Sequence, residues 1–295
     1  MITFYHDTEQ DFGIKVDVET CRQIVGEFLR IERQYGVSAT YNVVGKIYRE
    51  QPDLIDLVAR DGHEIAFHSY NHTYKPENYP SEIALCRQLT PAIKGYRSPK
   101  SLWNETTLHS LWQNEFLWSA ENDPTREPYF IHEGLVRLPI ALCDWAIQSK
   151  ELTEDQWVET FAGLMGHRRY FGFGTHDCVA SLKPEPRLKA YDKVIQIALQ
   201  KKALIVNFGE AADLFRRAAF EKFSSLATKG WTNTLGEIQR KHPSQSAARM
   251  NQIPLADFKF ELRNRERDAY IKSFGKYVPA SVRKVARRLP YFKGL

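Results

Sequence analysis

Four short stretches of the chain carry the side chains that metal and acid–base chemistry needs. Asp7-Thr8-Glu9 sets two carboxylates on alternate positions, and His68-Ser69-Tyr70-Asn71-His72 sets two imidazoles four residues apart. One helical turn would bring those imidazoles to one face, within reach of a single metal ion. Arg97 precedes a Ser98-Pro99 turn, and His176 follows Gly174-Thr175. Singly, each has an ordinary reading: the acids solvated or capping a loop, Arg97 an exposed loop cation. Together, two histidines and one carboxylate make an open zinc-type site that keeps a position for water and acidifies it, which leaves the second carboxylate to act as base.

The elements that must position these residues alternate along the chain. Residues 2–5 read as a β-run, 19–35 as a helix with Ile24, Phe28, Leu29 and Ile31 inward and Gly36 as its stop, and 37–44 as a strand. Pro52 opens a helix that Gly62 ends, and a strand follows at 64–67. The rhythm continues with helices at 81–89, 105–113 and 187–200, and strands at 95–97, 116–119, 135–140, 171–175 and 203–208. Such repetition implies an α/β domain with a parallel sheet under helices, as an open sheet or a barrel. In both, ligands gather at the carboxyl edge of the strands, where Asp7, Glu9, His68, His72, Arg97 and His176 all fall.

The order of these motifs resembles the polysaccharide deacetylase (NodB-homology, carbohydrate esterase family four-like) superfamily over residues 1–210. Thr3 to Glu9 looks like its acid-bearing motif, Ala39 to Gly45 like its second strand, and Gly62 to His72 like its metal-binding segment. Gly95-Tyr96-Arg97-Ser98-Pro99 resembles the third motif and Gly174 to Asp177 the last. The resemblance implies a distorted (β/α) barrel and a metal-dependent carbohydrate N-deacetylase with one divalent ion, Zn²⁺ by the ligand set. Carried over, it makes Asp7 the base, Glu9, His68 and His72 the metal ligands, Arg97 the partner that keeps Asp7 ionised, and His176 the acid. It also makes the main-chain N–H of Lys100 the oxyanion donor, although the family commonly has an aromatic residue there. The acid that orients His176 is open between Asp123 and Asp144. Tyr70, Tyr74 and Tyr79, beside the metal segment, are better substrate contacts than any one of the six tryptophans, and His63 and His167 read as surface or packing residues.

Composition bounds the rest. Of 295 residues, 43% are hydrophobic, which excludes disorder and fibrous repeats. The net charge of +5 sits in the tail: residues 259–295 hold eleven Lys/Arg against three Asp/Glu, so the remainder nets −3 and nucleic acid is not an expected partner. Cys21, Cys86, Cys143 and Cys178 include no C-x-x-C pair and read as reduced thiols. With neither a signal-like start nor a spanning apolar stretch, the expected location is cytoplasmic, peripheral on the inner face of the membrane. The expected substrate is an acylamino sugar, lipid-linked or part of a surface polysaccharide intermediate, losing acetyl or, alternatively, another acyl group such as formyl. A non-catalytic carbohydrate-binding protein of the same fold and a membrane-docking scaffold are disfavoured by the full residue set.

Residues 211–268 read as a helical and loop extension. Residues 269–295 combine seven Lys/Arg and no Asp/Glu with an apolar side formed by Val282, Val285 and Leu289. That pattern suits a helix packed on its own domain, a membrane-surface helix, or a site for an acidic partner or nucleic acid. Membrane attachment predicts that full-length protein sediments with anionic vesicles, less so as salt rises, and that a chain ending at Asp268 does not. No sedimentation at low salt would leave the packed helix or the partner site.

Overall fold

The computed structural model describes residues 1–123, 127–132 and 134–226. Eight strands form one sheet: β1 Ile2–Thr8, β2 Thr40–Val43, β3 Glu64–Phe67, β4 Gly95–Tyr96, β5 Trp118–Asn122, β6 Tyr129–His132, β7 Leu135–Cys143 and β8 Phe171–His176. Their order is β5-β4-β3-β2-β1-β8-β7-β6, and β5 also pairs with β7. That last pairing, Trp118 to Asn122 against Val136 to Ile140, closes seven parallel strands into a barrel. The structure thus decides between the open sheet and the barrel. The distortion lies at β7, whose first residues pair with antiparallel β6 while only Ile140 to Cys143 meet β8, across a register shift.

Helices cover the barrel because their apolar residues recur at helical spacing. Val18–Tyr35 buries Cys21, Ile24, Val25, Phe28, Leu29 and Ile31, starts where Asp17 accepts the Thr20 N–H and stops at left-handed Gly36. The same helix buries Glu32 completely, and Tyr41 Oη at 2.6 Å, Tyr191 Oη at 2.7 Å and His6 Nε2 at 2.8 Å surround its carboxylate. Burial alone would raise the Glu32 carboxyl, yet His6, His63 and Tyr41 hold it below its ordinary value. The helix Glu154–His167, which apolar periodicity did not reveal, begins with a reciprocal capping box between Thr153 and Gln156.

Inside the barrel, Tyr5, Ala66, Trp118, Ala120 and Leu138 form the apolar fill below the site. Gly174 makes room for Tyr5, since a Cβ there would lie 2.4 Å from its ring. Phe208 packs against Tyr5 and Trp118. This corrects the expected strand at 203–208. Only the bridge Ile2 to Ile205 forms, because Phe208 opens the helix Phe208–Leu226, whose first amides are captured by Thr40 Oγ1 and Glu64 Oε2, each at 2.8 Å. Phe215 of that helix packs on Phe130 of β6. The expected basic tail, 269–295, lies outside the described residues, as does most of the expected extension. No described helix is long and apolar enough to cross a membrane.

Glu64 also accepts from Thr40 Oγ1 and Trp118 Nε1, and burial pushes its carboxyl up to about 7 against these bonds. A carboxyl more basic when folded binds extra protons in the native state, so its contribution to stability falls as pH rises from the ordinary 4.5 through about 7. Glu64→Gln keeps an acceptor and removes the titration. Its melting temperature, relative to wild type, is expected to climb between about pH 5 and about pH 8. A difference that stays flat over that interval would show that Glu64 does not titrate there.

Candidate active site

The last residues of four strands and the loops after them converge at the carboxyl mouth of the barrel. Asp7, near the end of β1, is fully buried. Arg97 Nε donates to both of its oxygens, at 2.7 and 3.0 Å, and Asn42 Nδ2 to one of them at 2.8 Å. Arg97 is only 2% exposed, which replaces the loop-cation reading with a buried ion pair. Burial would raise the Asp7 carboxyl, but Arg97 and the nearby imidazoles hold it well below the usual carboxylate range.

His176, at the end of β8, lies with Nε2 3.1 Å from Asp7 Oδ2. Its Nδ1 is 2.6 Å from Asp144 Oδ1, and its amide donates to Asp144 Oδ2 at 3.1 Å. Asp144 is therefore the acid that orients His176. Asp123 instead accepts the Tyr129 hydroxyl at 2.6 Å, because β6 brings that tyrosine across to it. Burial would lower the His176 imidazole, and Asp144 reverses this and raises it well above its ordinary value. Asp7 and His176 thus sit side by side, one held ionised and the other held protonated.

Glu9 Oε1 lies 3.0 Å from His68 Nε2 and 3.1 Å from His72 Nε2. The other nitrogens, His68 Nδ1 and His72 Nδ1, lie 2.9 Å from the Arg97 carbonyl and 3.1 Å from the Phe12 carbonyl. A carbonyl only accepts, so each Nδ1 carries the proton, and a neutral ring then turns a bare Nε2 lone pair toward a carboxylate. His72 Nε2 is buried without a hydrogen-bond partner. Lone pairs facing a carboxylate repel unless a cation lies between them. Glu9, His68 and His72 therefore fit a divalent metal of the zinc class, with one oxygen and two nitrogen donors within 4.8 Å of one another. Gly13 permits this close packing, since a Cβ there would lie 1.9 Å from Glu9 Oε2.

The two histidines do not share a helical face as the spacing suggested. Residues 68–72 form a loop in which Ser69 and His72 have left-handed backbone, φ 63° and 57°. Buried Glu82 holds that loop: its carboxylate accepts from Ser69 Oγ at 2.6 Å, from the Tyr70 and Asn71 amides at 3.0 and 2.6 Å, and from Asn71 Nδ2 at 2.7 Å. Asp177 does the same for the loop after β1, accepting the Glu9 and Gln10 amides at 2.9 and 3.1 Å. Glu121 accepts the Ser98 amide at 2.9 Å and lies 3.5 Å from Arg97 Nη1. None of these three acids has a role readable from spacing, since burial and aim are not; Asp177 alone stands within one of the motifs quoted above.

Tyr70 is buried and accepts from Arg49 Nη1 at 2.7 Å, and Tyr79 is buried with its hydroxyl on the Pro99 carbonyl. Tyr74, 38% exposed and edge-on to His72, is the tyrosine that faces solvent beside the ligands. Lys100 follows Pro99 on a turn that is left-handed at Lys100 and Ser101, φ 55° and 52°. His63 is buried and its Nδ1 accepts the Ala39 amide, while His167 is exposed.

Residues 8–116 match the model of the polysaccharide deacetylase family. A chitooligosaccharide deacetylase of Bradyrhizobium sp. is 28% identical over 94 residues, which is 28% of this chain and 42% of that protein. A peptidoglycan-N-acetylglucosamine deacetylase of Bacillus cereus is 21% identical over 166 residues, 53% of this chain and 56% of the relative. The chain spans about half the length of these curated relatives. A crystal structure of a polysaccharide-deacetylase-type protein from Mycobacterium smegmatis superposes with a TM-score of 0.63 at 18% identity, over 74% of this chain and 90% of that one, a likeness of fold. The matched stretch carries Glu9, His68, His72 and Arg97, so residues 8–116 are similar to the polysaccharide deacetylase family, and the strands close into the barrel fold of the Mycobacterium smegmatis protein.

Proposed function

We propose that the chain is a metal-dependent hydrolase that removes an N-acyl group, acetyl first, from an amino sugar. The observation that carries this reading is the pairing of Asp7 and His176, 3.1 Å apart and driven to opposite protonation states, beside three donors that suit a cation. When bound by Glu9, His68 and His72, zinc or another divalent ion would supply Lewis acidity and make a water proton easier to remove. Asp7 accepts that proton, and the water oxygen forms a bond to the acyl carbon. The Lys100 main-chain N–H is the donor assigned to the developing oxyanion. His176 gives its proton to the nitrogen as the C–N bond breaks, so that a free amine and a carboxylic acid leave. Arg97 and Asp144 keep Asp7 ionised and His176 protonated until the moment of transfer.

The barrel, the acid–base pair and the curated relatives' printed deacetylase names support this class of reaction. For the substrate, the basic stretch 269–295 favours a sugar presented at a membrane surface on a lipid carrier, within surface-polysaccharide assembly.

Purified protein is expected to bind about one divalent ion per chain, and His68→Ala with His72→Ala to abolish this in a folded protein. Stoichiometric metal retained by that double variant would remove the ligand assignment. Incubated with free and lipid-linked acylamino sugars, the metal-loaded enzyme is expected to release acetate. Asp7→Asn should keep the metal and lose ~10²–10⁴-fold in rate. Release of formate would redirect the reading to a deformylase. No acid from any sugar would sink it, and Asp7→Asn turnover near wild type would exclude Asp7 as base.

A further inference from the structure

The rim of the mouth on the His72 side carries two cations that the reaction does not use. Lys100 Nζ lies 4.0 Å from the centroid of Tyr74, whose ring meets His72 edge-on at 5.2 Å. Lys46 Nζ lies 5.9 Å from the centroid of Phe12, the residue whose carbonyl is paired with His72 Nδ1. Each ammonium is therefore one aromatic residue away from the same imidazole. Among the described residues neither has a carboxylate within 4.0 Å, whereas Lys15, Arg22, Arg30, Arg33 and Arg49 each do.

The backbone under Lys100 shows that its placement is imposed. Lys100 and the following Ser101 both occupy the left-handed region that favours glycine. The turn is held there by the Tyr79 hydroxyl on the Pro99 carbonyl at 3.3 Å and by Ser101 Oγ, which accepts from Arg97 Nη1 at 2.8 Å and from the Asn122 amide at 2.9 Å. A non-glycine residue fixed in this conformation at a site mouth is a sign of function. The charges at the centre of the mouth are paired with one another, Asp7 with Arg97 and Asp144 with His176, and so leave an anion no free cation there. Free ammonium groups on one side give an anionic group a single favourable place to sit.

We propose that Lys46 and Lys100 form an anion subsite beside His72, which selects an acylamino sugar bearing a phosphate or carboxylate group. The sugar part of this rests on the deacylase reading, but the anion preference does not. Binding is best read in the metal-loaded Asp7→Asn chain, where turnover does not interfere. Three probes share the N-acetylglucosamine ring: its neutral methyl glycoside, its 1-phosphate, and N-acetylmuramic acid, which carries a carboxylate.

By calorimetry, at least one anionic probe is expected to bind about tenfold tighter than the neutral one, and added salt to reduce that ratio. Lys46→Met with Lys100→Met should bring the ratio close to one, and Lys46→Arg with Lys100→Arg should keep it. The phosphate and carboxylate arms identify the source of the charge. No preference in the parent chain, or a preference that survives the methionine pair, overturns the subsite. A preference that follows the lysines, in a protein whose wild type releases no acid, keeps the subsite and removes the deacylase reading.

Discussion

The Asp7 carboxylate is buried, and the Arg97 guanidinium 2.7 Å away is what keeps it charged there. Around this pair the buried charges alternate in sign. Asp144 faces His176, which faces Asp7, and on the other side Arg97 faces Glu121, which lies 3.6 Å from Arg137. Loss of one partner from a buried pair leaves an uncompensated charge, a cost of about 3–5 kcal/mol. Removal of any one charge therefore unbalances its neighbours, and the strands that carry them are bound to a common register. Asp7 pairs with His176 across the β1–β8 ladder and with Asn42 across β1–β2, which fixes the height at which the carboxylate and the imidazole meet.

Strands hold Asp7 and His176, while loops hold Glu9, His68 and His72, and the two solutions differ physically. A ladder positions a side chain through many backbone bonds, whereas a loop needs a specific anchor. Glu82 and Asp177 are those anchors, each a carboxylate that gathers otherwise unmatched amides of a loop bearing ligands. Both act on main chain, so they fix backbone direction without turning their own oxygens toward the side chains of Glu9, His68 and His72. Left-handed Ser69 and His72 show how far this loop departs from the helix that a four-residue spacing suggests.

The sequence made strand ends legible because chemistry-bearing residues stand directly after apolar β-runs, and Asp7, His68, Arg97 and His176 were all found that way. Two further elements were legible too: Glu64–Phe67 and Glu105–Gln113 form where the pattern put them. The losses share a cause. β6 and the choice of Asp144 over Asp123 depend on which strand returns beside which, and composition does not encode that. The stretch 203–208 has the apolar content of a strand, but Phe208 is needed to plug the barrel floor, and tertiary packing overrode local preference. Glu154–His167 was missed although Thr153 and Gln156 spell its start, because a cap is a weaker signal than an apolar stripe.

The closure of the barrel orders its assembly in time. β1 through β5 join neighbours that follow one another along the chain, and β5 meets β7 across a short return. β8 must instead slot between β7 and the first strand of the protein, pairing Ile2 with Phe171 and Asp7 with His176. Contacts that distant bear the largest loop-closure cost and form late. The candidate ligands Glu9, His68 and His72 lie within the first 72 residues, while His176 ends β8. Asp177, which accepts the Glu9 and Gln10 amides, arrives directly after β8, so the loop bearing Glu9 gains its anchor only when the ring of strands is complete.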